Sequence, residues 1–187
     1  MASRVSKKTW LIWVILIIAV VALVGIALSC SSSNPSDSTP QSQNATDFTL
    51  PTLTGANITL SELEGTPVVL NFWSISCSWC RKQLPYLENV AQQSEGEIKV
   101  IAVNVGESAA KVQEFFGDYE PTMIVALDEN IETFVTYCQN YDNLRGSIPF
   151  TLFVDSEGVI QYKRIGAFTS EAELWNTLHD VFGITIP

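Results

Sequence analysis

The chain has 187 residues, enough for one domain of ordinary size and a short appendage. Twenty acidic side chains against ten basic ones give a net charge of −10. Three of the basic residues, Arg4, Lys7 and Lys8, precede every acid, so the part after Cys30 keeps seven basic side chains, and a surface so acidic repels nucleic acid.

From Trp10 to Leu28 the sequence WLIWVILIIAVVALVGIAL carries no charge. As a helix rising ~1.5 Å per residue it matches the ~30 Å hydrocarbon core of a bilayer. Arg4, Lys7 and Lys8 in front of it are expected to stay cytoplasmic, leaving the rest outside. Ala27-Leu28-Ser29-Cys30 resembles a bacterial lipobox with unusual residues before the cysteine, so two forms of attachment are open: a retained transmembrane helix or a lipid on Cys30. Residues 1–30 are thus expected to be a membrane anchor or lipoprotein signal. Residues 31–46, rich in Ser, Asn, Gln and Pro, have too little apolar surface to fold and are expected to be a flexible tether. One domain over residues 47–187 follows.

That domain opens with an alternating stretch at Asp47–Pro51 and a turn near Gly55, which predicts a short peripheral hairpin closing through Ile58-Thr59-Leu60. Val68-Val69-Leu70-Asn71-Phe72-Trp73 is too uniformly apolar for a half-exposed strand and predicts the centre of a sheet covered on both faces. Helical spacing of Leu84, Leu87, Val90 and Ala91 predicts a helix over Cys77–Ser94. Strands are expected at residues 98–105 and 122–127, with helices over 109–116 and 131–140 between and after them. This βα alternation predicts a parallel core. A closing hairpin, Phe150–Val154 and Val159–Arg164 around the turn Asp155–Gly158, precedes a last helix over about 170–182.

Four cysteines are too few for a disulfide scaffold in a domain of this size. Cys77 and Cys80, as C-x-x-C at a helix start, suit thiol chemistry. There the first sulfur meets free backbone N–H groups and the helix dipole, both of which favour its thiolate. Cys77 is then the expected nucleophile and Cys80 the resolving thiol. Half of a zinc site has the same spacing, so a metal- or apoprotein-binding module is the alternative, although no second ligand pair follows and Cys138 and His179 are poor candidates to complete one. No metal or other cofactor is expected. Cys138 reads as a small buried hydrophobe, His179 as a solvated side chain, and Trp73 as core. Trp79 is expected to lie exposed beside the sulfurs, and Arg81 and Lys82 are positioned by sequence to add positive charge there.

VVLNFWSISCSWCRKQLPYLE resembles the active-site region of the TlpA/ResA-like, cytochrome-c-biogenesis branch of the thioredoxin superfamily, and GSIPFTLFVDSEGVI resembles a second segment of that branch. The likeness spans roughly residues 46–182. It implies a thioredoxin-like α/β fold: a central mixed sheet flanked by helices, an N-terminal β-hairpin and a βα insertion at Glu107–Asn140. It implies a cis Pro149 against the CxxC, with the Ile148 backbone and Trp79 meeting an extended substrate. Protein thiols or disulfides are the implied substrates, apocytochrome c among them, and a membrane electron donor of the CcdA/DsbD type is the implied reductant. The opposite direction, disulfide oxidation or isomerisation, stays open. Asn71 and Gln83 stand where relatives carry acids, so two proton acceptors of the family are amides in this chain.

Overall fold

The computed structural model describes residues 43–184. The expected anchor at residues 1–30 and the tether up to residue 42 lie outside this range. No helix among the described residues is long and apolar enough to cross a membrane.

In chain order the elements are β1 (Gln43–Asn44), β2 (Thr49–Pro51), β3 (Asn57–Thr59), a 3-10 turn (Leu60–Leu63), β4 (Val68–Trp73), α1 (Ser78–Gln93), β5 (Lys99–Val105), α2 (Ala109–Phe116), β6 (Ile124–Asp128), α3 (Glu132–Asn140), β7 (Phe150–Val154), β8 (Val159–Ile165) and α4 (Glu171–Phe182). Six strands form one mixed sheet in the order β1-β8-β7-β4-β5-β6, and β2 pairs with β3 apart from it. Strands β4, β5 and β6 run parallel, while β7, β8 and β1 are antiparallel additions. The parallel core predicted from βα alternation therefore covers three strands, and the closing hairpin turns the sheet mixed.

All six residues of β4 are buried because both faces of the sheet are covered. Alternation along β4 sorts its side chains between two cores. Val69 and Trp73 pack with Leu84 and Leu87 of α1, Val112 of α2 and Leu174 of α4. Val68, Leu70 and Phe72 pack on the opposite face with Phe134 and Tyr137 of α3. The opening hairpin also belongs to this second core: Phe48, Leu50 and Leu60 are buried in it, and Thr52 bridges to Ala126 of β6. The expectation of a peripheral flap is corrected accordingly.

The folded region also begins earlier than residue 47. Gln43 and Asn44 pair with Ile160 and Val159 of β8. The Tyr141 hydroxyl accepts the Thr46 N–H at 2.6 Å and donates to the Asn44 carbonyl at 2.9 Å, and the Tyr137 hydroxyl donates to the Thr46 carbonyl at 2.6 Å. Polar composition foretold a solvated tether to residue 46. These four residues are ordered chiefly by hydrogen bonds, with Ala45 alone packing against the second core, a device that composition does not reveal.

Glu88 of α1 is buried and accepts from the Thr122 N–H at 2.8 Å, the Met123 N–H at 3.1 Å, the Tyr119 hydroxyl at 2.9 Å and Gln92 at 2.9 Å. Burial alone raises its pKa, but these donors outweigh it and hold the carboxyl below its ordinary value. A lowered folded-state pKa adds stability above the unfolded value, and that stability disappears as pH falls through the folded one. We expect Glu88→Gln to lower the melting temperature near neutral pH and to flatten its decline below about pH 4.5, as thermal melts across pH would record.

Candidate active site

The parallel strand β4 delivers the chain to one end of the sheet, and α1 carries it back, so the β4–α1 turn is an exposed loop on a buried scaffold. Cys77 caps α1 in extended conformation, and its sulfur accepts the Cys80 N–H at 3.1 Å. The two sulfurs are joined as a disulfide. Cys77 is half-buried, whereas Cys80, one turn further along the helix, is 1% exposed.

Side chains from distant parts of the chain shape this turn. Glu107, after β5, accepts the Ile75 N–H at 2.8 Å and the Asn104 side-chain amide at 2.8 Å. Arg81 Nη1 donates to the Ile75 carbonyl at 3.1 Å. Ile75 is thus gripped through both of its backbone polar groups, which positions the segment leading into Cys77. Glu107 was read from sequence only as the start of an insertion, because nothing local tells that its carboxylate reaches a residue 32 positions away.

Opposite the sulfurs, the Ile148–Pro149 bond is cis, as the resemblance implied. Cys77 Sγ lies 3.8 Å from the Ile148 carbonyl oxygen. The loop leading to Ile148 is braced by Asn143, which is buried and holds Ser147 twice: Nδ2 donates to its carbonyl at 2.8 Å and Oδ1 accepts its N–H at 3.0 Å. Trp79 is 56% exposed, with the Lys82 ammonium 4.5 Å above its ring. Cys77, Cys80, Trp79, Ile148 and Pro149 are therefore brought together at one end of the sheet.

Beneath the CxxC lies a polar cluster that sequence reasoning anticipated only by residue type. Asn71 Nδ2 donates to Thr151 Oγ1 at 2.8 Å, Gln83 Nε2 approaches the same oxygen at 3.4 Å, and Gln83 Oε1 accepts the Phe168 N–H at 2.8 Å. The two amides share one hydroxyl: Asn71 ties β4 to β7, and Gln83 ties α1 to β7 and to the segment before α4. Cys138 and His179 take no part in the site. His179 is a surface side chain beside Asp180, and Cys138 is a free, buried thiol on α3 whose pKa is raised by burial. We expect a thiol reagent applied to the native, reduced protein to label Cys77 within minutes and Cys138 only after denaturation, as mass spectrometry of the labelled peptides would reveal.

A thioredoxin-like sheet carrying a CxxC at a helix N-terminus beside a cis proline defines a thiol–disulfide oxidoreductase of the thioredoxin superfamily. The chain matches the Redoxin family over residues 40–178 and belongs to it. Over 134 residues it is 31% identical to thioredoxin-like protein YneN of Bacillus subtilis (strain 168), covering 70% of this chain and 75% of that one. It is 29% identical over 152 residues to thiol-disulfide oxidoreductase ResA of the same organism, covering 81% and 79% of the two chains. Among solved structures it resembles the exposed lipoprotein thioredoxin of Streptococcus pneumoniae, with a TM-score of 0.61 and 26% identity over 72% of this chain and 99% of that one. The ResA-like branch inferred from sequence is thus the right one.

Proposed function

We propose that the protein reduces disulfides in exported polypeptides on the outer side of a cytoplasmic membrane, with Cys77 as nucleophile and Cys80 as resolving thiol. The observation that carries this reading is the unequal exposure of the two sulfurs: only Cys77 faces solvent and the Ile148 backbone, while Cys80 is reached from within.

In the reduced form, the Cys80 N–H and the α1 dipole favour negative charge on the Cys77 sulfur. The Cys77 thiolate attacks one sulfur of a substrate disulfide; that S–S bond breaks, and the departing thiolate takes up a proton. Cys80, having lost its proton, then attacks Cys77 Sγ in the mixed disulfide. The second substrate thiol leaves, and the Cys77–Cys80 disulfide remains. Two electrons from a thiol donor in the membrane, of the CcdA/DsbD type, restore the dithiol. The substrate runs extended past Ile148 and Trp79, pairing with the Ile148 backbone.

Support for the outward location comes from the apolar run Trp10–Leu28 behind Arg4, Lys7 and Lys8, from Cys30 in its lipobox-like setting, and from likeness to an exposed lipoprotein thioredoxin. Support for a reductant acting on apocytochrome c comes from the resemblance of VVLNFWSISCSWCRKQLPYLE to the cytochrome-c-biogenesis branch. The test is the reduction potential of the Cys77–Cys80 pair in the full-length protein in detergent micelles, by equilibration in dithiothreitol buffers and thiol alkylation. A potential below about −250 mV supports the reductant, and one above about −180 mV would reassign the protein as an oxidant or isomerase.

A further inference from the structure

The reactive end of this acidic domain carries most of its uncommitted positive charge. Of the seven basic residues after Cys30, three are held in ion pairs: Lys111 with Glu107 at 3.9 Å, Lys163 with Asp142 at 2.5 Å and Arg164 with Glu173 at 2.6 Å. Lys99 lies in register with Val68, at the end of the sheet remote from the sulfurs. The other three, Arg81, Lys82 and Arg145, are exposed and belong to no ion pair among the described residues. Arg81 and Lys82 follow Cys80 directly. Arg145 stands three residues before Ile148, within about 10 Å of it even along an extended chain.

Of the carboxylates at the same end, Glu107 and Asp128 are turned inward and Glu129 is engaged by the backbone, which leaves the exposed Glu132 at the start of α3. Glu107 holds the Ile75 N–H, Glu129 accepts the Ala109 N–H at 2.8 Å, and the buried Asp128 accepts the Phe134 N–H at 2.7 Å. Two exposed apolar side chains accompany the cations: Trp79, and Leu144 at 83% exposure, which the Asn143 brace holds outward beside Arg145.

We propose that this rim selects polypeptide segments in which the disulfide cysteine is flanked by Asp or Glu and an adjacent apolar residue. Resting on the exchange reading above, this recognition names the substrate's local chemistry. Acidic flanks are drawn to Lys82 and Arg145, while the acidic remainder of the domain repels approach from any other side, so encounter and orientation are coupled. An apolar neighbour covers Trp79 and Leu144.

The test uses three disulfide-containing peptides, identical except for Asp, Ser or Lys on both sides of the cysteine, and the reduced full-length protein in detergent micelles. Second-order rate constants for their reduction are followed by tryptophan fluorescence. At about 20 mM ionic strength the Asp peptide is expected to react roughly tenfold faster than the Lys peptide, the gap closing to under about twofold near 0.5 M as screening sets in. Lys82→Glu combined with Arg145→Glu is expected to invert the order, with a thermal melt confirming the fold. Equal rates at low ionic strength, or a preference untouched by salt, would overturn the proposal even if the charge-swapped protein failed to fold. Normal reduction of the Ser peptide in that case would leave the exchange reading standing. Failure to reduce any of the three would remove the exchange reading, and this proposal with it.

Discussion

Cys80→Ser is expected to accumulate as a stable mixed disulfide between Cys77 and its substrate, while Cys77→Ser forms none. With Cys77 intact, the exposed sulfur still attacks, but no second thiol stands one helical turn away to release the product. With Cys77 replaced, the only remaining thiol of the pair is 1% exposed and faces the core rather than solvent. Steady-state disulfide reduction should fall on the order of 10³-fold or more in either variant, because nucleophile and resolving group act as a unit. Non-reducing gels after incubation with an excess of disulfide substrate, followed by mass spectrometry of the adduct, separate the two outcomes. A mixed disulfide trapped equally well by both variants would contradict the assigned order of attack.

The largest stability effect is expected at Phe72, which is fully buried on β4 and meets the rings of Tyr137 at 5.0 Å, Phe134 at 5.5 Å and Phe150 at 6.0 Å. Phe72→Ala should cost about 3–5 kcal/mol, because the surrounding aromatic side chains come from two elements, α3 and β7, and cannot all collapse into the space. For a domain of this size that corresponds to a fall in melting temperature of roughly 10 °C or more. Phe72 and Trp73 point to opposite faces of the sheet, so the loss falls on the α3 side and leaves the Trp73–Leu84 side that backs Cys80 in place. Circular dichroism melts and denaturant titrations would measure the cost, and a loss under about 1 kcal/mol would mean that the α3 side tolerates repacking far better than its density suggests.

What the amino-acid sequence revealed depended on how local each signal was. The order β4, CxxC, α1 was legible because apolar run, cysteine pair and helical periodicity are contiguous, and Pro149 was found through the motif around it. Strand and helix positions after Asp47 agree to within a residue or two, since each has its own period of apolar residues. Sheet order was harder: that β7 inserts beside β4 while β6 takes the far edge is a matter of pairing between segments far apart in the chain, as Val68 is from Val154. The supports of the site were hidden for the same reason. Glu107 on Ile75, Glu88 on the chain at Thr122 and Met123, and Asn143 on Ser147 are polar residues whose partners are backbone groups, and no periodicity marks such bonds. Asn71 and Gln83 were noticed as departures from a pattern. Their convergence on Thr151 became apparent only with β4, α1 and β7 assembled.

The pairing of Gln43 and Asn44 with the first residues of β8 fixes where the polypeptide enters the domain. Ile160 stands level with Val154 and Val154 with Val68, so this entry lies at the start of β4, while Cys77 lies beyond its end. Six residues of strand separate the two, about 20 Å at ~3.3 Å per residue. The strand that opens the described region therefore lies at the back of the domain, where the hydroxyls of Tyr137 and Tyr141 hold Asn44 and Thr46, and the reactive sulfurs lie at the opposite end. A large folded partner can approach the sulfurs head-on without meeting β1, and the edge strand and the reactive turn are held by separate sets of hydrogen bonds.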